Sequence, residues 1–275
     1  MGDSVLRLGV FLGVLGAMML AEAIAPRRGR LVSRARRWPS NIGVAAIGTL
    51  AARLLLPLST MGMALLAEER GWGLFNAGVL PSRWVAIPLA VIVLDLAIYL
   101  QHVGFHAIPL LWRLHRMHHA DLDVDATTGT RFHPAEILLS TIVKVSVVAA
   151  LGAPPAAVLL FELLLNATSV FNHANLRLPL ALDRALRFCL VTPDMHRVHH
   201  SIDPEETNRN FGFLVPWWDR LAGTYLAQPR AGHEAMTLGI EQFRSPADLR
   251  LDRMLVQPLL REPGRYPLGA RRPAG

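Results

Sequence analysis

Five long apolar runs limit what this chain can become more than any other feature; they lie at residues 6–25, 42–67, 84–102, 136–151 and 155–170. A helix rising about 1.5 Å per residue needs roughly 20 apolar residues to cross a hydrocarbon layer about 30 Å thick. The first run meets that length and stops at Pro26 and a group of arginines. The second contains one charge, Arg53, and the third one charge, Asp95. The fourth and fifth are short for full spans and are separated by Gly152-Ala153-Pro154-Pro155, a breaker sequence suited to a tight turn. They read as a helical hairpin, either spanning or re-entrant. The chain is 52% hydrophobic and 18% charged, which excludes a disordered tail protein. Its single cysteine, Cys189, excludes a disulfide-stapled scaffold and a cysteine zinc site.

The 28 Lys+Arg against 21 Asp+Glu leave a net charge of +7, and Lys144 is the only lysine. Arg27, Arg28, Arg30, Arg34, Arg36 and Arg37 fall between the first two apolar runs, without any nucleic-acid motif. Membrane topology explains that placement: the positive-inside rule assigns this loop to the cytoplasm and the amino terminus to the outside. Parity then puts residues 102–135 and 171–275 on the cytoplasmic side, for a spanning or a re-entrant hairpin alike. A signal peptide over residues 1–25 is the rival reading, since Ala21-Glu22-Ala23 and Ala23-Ile24-Ala25 resemble cleavage sites. The sparse positive charge before the run and Pro26 after the cut favour a retained anchor. Lys144 sits near the middle of the fourth run, so either the hairpin is shallow or Lys144 lines a polar chamber.

Ten of the eleven histidines lie between residues 102 and 200, where even scatter would put about four. His102 and His106 form H-x3-H; His115, His118 and His119 form H-x2-H-H, and His196, His199 and His200 repeat it. On a helix, positions i, i+3 and i+4 share a face, so each triplet can aim at least two imidazoles at one point. A lone histidine at a membrane interface is usually just hydrogen-bonded, but clustered imidazoles repel when protonated and gain little unless something binds them. With His173 these motifs give nine ligands, or ten with His133. That exceeds the four of one tetrahedral zinc and suits two metal ions with five or six ligands each. Imidazole serves zinc, copper, iron and nickel, so ligand type does not name the metal. Asp95, Tyr99, His102 and His106 form one helical stripe, so Asp95 is expected to support a bound imidazole or to pair with Tyr99. Asp194 and Glu136 are further supporting carboxylates, and His233 stands apart in a polar tail.

The ordered motifs resemble the sterol desaturase / fatty acid hydroxylase superfamily. The resemblance is carried by Asp95 to His106, Leu111-Trp112-Arg113-Leu114-His115-Arg116-Met117-His118-His119, Arg131-Phe132-His133-Pro134-Ala135-Glu136, Asn172-His173-Ala174-Asn175 and Thr192-Pro193-Asp194-Met195-His196-Arg197-Val198-His199-His200. Asn210-Phe211-Gly212 and Trp217-Trp218-Asp219-Arg220-Leu221-Ala222-Gly223-Thr224-Tyr225 extend it, to cover about residues 90–225. It implies an integral membrane enzyme with a non-haem di-iron centre that uses O2 to oxidise an unactivated C–H bond of a lipid such as a sterol or fatty acyl chain. The implied outcome is hydroxylation or desaturation, both of which begin with hydrogen abstraction. The implied iron ligands are His102, His106, His115, His118, His119, His173, His196, His199 and His200. Three positions depart: Val103 replaces a frequent basic residue, Asn175 a second histidine found in some fatty acid hydroxylases, and Ala222 a common aromatic.

The expected fold is therefore all-α, an integral membrane bundle of about four to five apolar helices with a cytoplasmic histidine-rich helical cap. Three regions are expected: membrane helices and arginine loop in residues 1–82, a catalytic domain in 83–226, and a polar Arg/Pro-rich tail in 227–275, partly disordered or lying on anionic lipid. No flavin, nicotinamide, haem or ferredoxin motif is present, so electrons are expected from a separate reductase, with a lipid substrate drawn from the bilayer of a bacterial inner membrane. Two other readings compete. A zinc-dependent membrane hydrolase needs a base beside the metal, as in H-E-x-x-H, which does not occur; a metal transporter needs ligands at mid-membrane, whereas these cluster beyond the apolar runs.

Overall fold

A computed structural model describes residues 2–78, 82–260 and 262–268, and among them there are helices and turns but no β-strand, only two isolated bridges. Nine helices carry the architecture: α1 Gly2–Ile24, α2 Arg34–Leu55, α3 Thr60–Arg70, α4 Arg83–Ala107, α5 Pro109–His119, α6 Pro134–Leu151, α7 Pro155–His173, α8 Leu180–Leu186 and α9 Pro193–His199. Five segments are long and apolar enough to cross a membrane: α1, α2 with α3, α4, α6 and α7. Their outer faces stay apolar, with Val5, Leu12, Leu54 and Trp84 exposed. That is the surface a bilayer solvates, whereas water would not.

The second apolar run forms one candidate span, as expected, but from two helices and not one. Leu56–Ser59 break it, because Pro57 cannot continue a helical ladder, and Ser59 caps α3 by accepting from the Gly62 N–H. The hairpin turn forms as the breaker sequence predicts: Gly152 takes φ 63° and its N–H closes onto Val148 and Ala149, while Pro155 opens α7. At 18 and 19 residues α6 and α7 run longer than their apolar cores, and α7 ends on His173 itself.

Between the helices the core is built from Leu94, Ile98, Val158 and Phe161, with Ala64, Ala90 and Ala157 fully buried where backbones approach. Lys144 is half-buried on α6 and feels the Glu162 carboxylate of α7, which also pairs with Arg7 of α1.

The helices alternate so that one end of the bundle gathers every polar motif. The carboxyl ends of α1, α4 and α7 and the amino ends of α2 and α6 meet there, with α5 and α9 laid across them. The opposite end holds the hairpin turn, where Leu74 and Phe75 donate to Ala150 and Leu151. The polar tail also packs at the histidine end, where Tyr266 stacks on Trp112 and the Leu268 N–H donates to the His106 carbonyl.

Candidate metal centre

The chain bends at Ile108, where Pro109 starts α5, so α5 folds back across the end of α4. His102 Nε2 then lies 3.1 Å from His115 Nε2, and His106 Nε2 lies 3.1 Å from His119 Nε2. His199 of α9 closes this group, 3.0 Å from His102. A second group forms beside it: His173 Nε2 lies 3.1 Å from both His118 and His196, and the His200 ring sits against His118. The result is two nests of buried imidazoles, His102, His106, His115, His119 and His199 in one, His118, His173, His196 and His200 in the other.

Helical spacing explains the division. His115 with His119, and His196 with His200, are i,i+4 pairs that point the same way, while His118 and His199 project into the opposite nest. The two triplets therefore straddle both nests and hold them together, with the His119 and His200 rings 4.7 Å apart.

Oxygen acceptors fix the tautomers. Nδ1 of His102 faces the Phe211 carbonyl at 2.7 Å, His115 the Glu136 carboxylate at 2.7 Å, His173 the Ser169 carbonyl at 2.6 Å, and His199 the Arg209 carbonyl at 2.7 Å. His118 Nδ1 faces the Arg131 carbonyl at 3.3 Å. An Nδ1–H donating to oxygen leaves Nε2 with a bare lone pair. His102 and His115, His102 and His199, and His118 and His173 thus oppose lone pairs about 3 Å apart with no proton between them. Such contacts repel unless a cation occupies the nest. Two nitrogens bound about 2.1 Å from one ion at a right angle lie about 3.0 Å apart, so the spacing fits a metal. Both nitrogens of buried His200 also lack any hydrogen-bond partner. Burial first, then neighbouring imidazoles, hold His118, His119, His196 and His200 well below the ordinary 6.5 and contribute to pushing His199 down to about 3. Neutral imidazole is the ligating form.

His133 joins neither nest. Its Nδ1 accepts from the Ala135 N–H to cap α6 and its Nε2 faces the Leu255 carbonyl, so both nitrogens are committed elsewhere. Asp95 supports neither an imidazole nor Tyr99: its carboxylate accepts from Trp218 Nε1 at 2.8 Å and from the Leu214 N–H, while Tyr99 bonds Thr224. Asp194 pairs with Arg197 and Arg27, with His233 3.6 Å away. Asn175, at the position of a second histidine in some relatives, instead exchanges hydrogen bonds with the Arg28 backbone.

Several supports are less apparent from spacing. Asp219 accepts from the Phe211 and Gly212 N–H groups, which sets the turn whose Phe211 carbonyl orients His102; a Cβ at Gly212 would come within 2.9 Å of that carboxylate. Arg131 donates to the Met117 carbonyl, on the turn bearing His118. Arg116, buried between ligands, donates to the carbonyls of Gln257, Leu260 and Glu262. The signals were there, in the W-W-D motif and in arginines interleaved with histidines, but their acceptors are backbone atoms that no residue pattern displays.

Five helices fit to span a membrane, with nine buried histidines gathered at one end in two adjoining nests, define the class: an all-helical membrane protein with a centre able to hold metal. The chain belongs to the fatty acid hydroxylase family, whose profile matches residues 87–224, half its length and every histidine of both nests. It is 28% identical over 153 residues to the ornithine lipid hydroxylase OlsE of Rhizobium tropici, covering 54% of this chain and 45% of that one. It is 30% identical over 169 residues to alkylglycerol monooxygenase of Homo sapiens, covering 59% and 35%. Against cholesterol 25-hydroxylase of Rattus norvegicus it is 27% identical over 145 residues, covering 52% and 47%. The chain spans less than half the length of each of these relatives. No solved structure matches it.

Proposed function

We propose that this chain is a membrane-bound oxygenase that hydroxylates an unactivated C–H bond of a lipid, using O2 and electrons from a separate reductase. The observation that carries the proposal is the pair of histidine nests with opposed lone pairs, in a family whose compared relatives are named hydroxylases and monooxygenases. Two iron ions would be held by His102, His106, His115, His119 and His199 and by His118, His173, His196 and His200. Bound iron would supply the redox chemistry that no acid, base or nucleophile of the chain can supply at an unactivated C–H bond.

The rest falls to the protein. Glu136 and the carbonyls of Phe211, Arg209, Ser169 and Arg131 hold the Nδ1 protons and keep each ring turned, which makes Nε2 the donor atom. Full burial of the nine rings keeps water from the centre. The nests sit at the end of the bundle that also carries the arginine loop, which by the positive-inside rule supports a centre facing the cytoplasm, open to an electron donor from the aqueous side. Lipid would enter laterally from the hydrocarbon layer.

The test is paired. Protein expressed with ample iron should contain close to two irons per chain, and cells bearing the intact gene should accumulate a lipid heavier by one oxygen that His118→Ala cells lack. Zinc at full occupancy with no oxygenated lipid would overturn the proposal in favour of hydrolysis.

A further inference from the structure

The arginine loop does more than mark topology. Where α1 ends, Glu22, Pro26, Arg28, Gly29, Arg30 and Arg34 line an open pocket of about 230 Å³. That is below the roughly 300–1,000 Å³ of pockets for drug-sized ligands, and of a size to seat a headgroup. Its only acid is already satisfied: Glu22 accepts from the N–H groups of Ala126 and Asn175, each at 2.7 Å, and from Arg34. The arginines are satisfied only in part: Arg28 donates through Nη1 to the His233 and Met236 carbonyls, and Arg34 to Glu22. The Nε–H groups of Arg28 and Arg34 are buried with no acceptor. Arg30 is exposed and makes no hydrogen bond or ion pair among the described residues. Three guanidinium groups against one carboxylate leave the lining positive, with donors suited to a phosphate or carboxylate.

The surroundings identify a lipid. Leu20 and Ile24 are 63% and 74% exposed on the last two turns of α1, and Leu20 lies one turn before Ala23, which also lines the pocket. An apolar ridge thus leads out of the hydrocarbon level directly to the arginines, as a lipid chain leads to its headgroup. The pocket is also joined to the metal centre: Asn175, two residues beyond His173, holds the Arg28 backbone through its own side chain and backbone N–H bonds to Glu22.

We propose that this pocket seats the anionic headgroup, phosphate or carboxylate, of a membrane lipid whose chains lie along Leu20 and Ile24; that this lipid is the substrate rests on the oxygenase reading. The experiment uses the full-length protein in detergent, titrated with short-chain phosphatidylglycerol, the matching phosphatidylcholine and inorganic phosphate. Binding is read by native mass spectrometry and metal per chain on the same sample. Phosphatidylglycerol should bind about tenfold more tightly than either other probe. Arg30→Gln should weaken it about tenfold, whereas Arg36→Gln, the same charge change on an exposed neighbour outside the lining, should change it less than twofold, with metal content unaltered in both. Equal binding of phosphatidylcholine, equal loss in the two variants, or inorganic phosphate bound as tightly as lipid would each overturn the proposal. Anionic lipid held by a protein that never takes up iron would leave the pocket standing and sink the oxygenase reading instead.

Discussion

Glu136 and His133 sit three residues apart at the start of α6 and do unlike work. Glu136 accepts the His115 Nδ1 proton at 2.7 Å, a buried charge-assisted bond that turns the ring and raises the basicity of Nε2. Glu136→Gln keeps the shape and loses the charge, so metal affinity should fall about 10–100-fold, read as metal per chain after dialysis against a graded chelator. His133 is a helix cap, so His133→Asn should keep the metal content of the parent at a cost below about 1 kcal/mol in stability. Loss of metal in that variant would show that His133 ligates after all. Eight of the nine clustered histidines were legible from spacing, because i,i+3 and i,i+4 relations are local, whereas His173 stands alone in the sequence and joins them only through the fold. The split between His133 and the rest was not, since it depends on a Leu255 carbonyl reached from 122 residues away.

At the scale of elements, the apolar runs displayed the spanning helices and Gly152 to Pro155 displayed the hairpin turn, both being properties of short windows. What holds these helices to the centre was hidden, because its partners are remote. Arg37, on the first turn of α2, is fully buried and forks onto Asp121 at 2.7 Å through two nitrogens, onto Asp125 at 2.6 Å, and onto the Asp123 carbonyl. In the sequence it is one arginine of six. Asn41 adds a bond to Thr127, and the Asp123 carboxylate accepts from Leu31 and Val32, so the loop after His119 is pinned to the amino end of α2. Removing one partner of such a buried network strands the other charges at about 3–5 kcal/mol. Arg37→Ala should therefore lower the melting temperature by many degrees and release metal, whereas Arg36→Ala, on the exposed side of the same turn, should leave both unchanged.

For the molecule as a whole, the Arg/Pro-rich tail reads from composition as partly loose, yet its described residues, 227–260 and 262–268, pack on the histidine end of the bundle against α2, α5 and α9. Trp112 Nε1 donates to the Pro263 carbonyl, Arg113 to Pro258, and Arg116 to three further carbonyls. Composition misleads here because proline segments present unpaired carbonyls, which are what buried arginines need. Deleting residues 257–275 should strip those acceptors from Arg116 and cut metal retention by more than half, measured on detergent-purified protein. The same buried centre sets the response to pH. His118, His119, His196 and His200 titrate well below 6.5 in the folded chain and His199 at about 3, with burial the largest cause, so between those values the unfolded chain binds protons that the folded chain refuses. Stability from these groups is complete above the unfolded value of about 6.5 and is lost as pH falls toward 3, by up to about 1.4 kcal/mol per histidine per pH unit. Asp121 does not blur the window: burial alone would raise it, but Arg37 and Arg131 hold it at about 2, so its contribution fails only at more acid pH. Metal on the imidazoles shifts the balance the same way, since protons and metal compete for Nε2. The melting temperature in detergent should be level from pH 8 to 7 and fall steeply from 6.5 to 5, with metal released over the same interval; a level profile down to pH 5 would mean that these five rings are not held unprotonated.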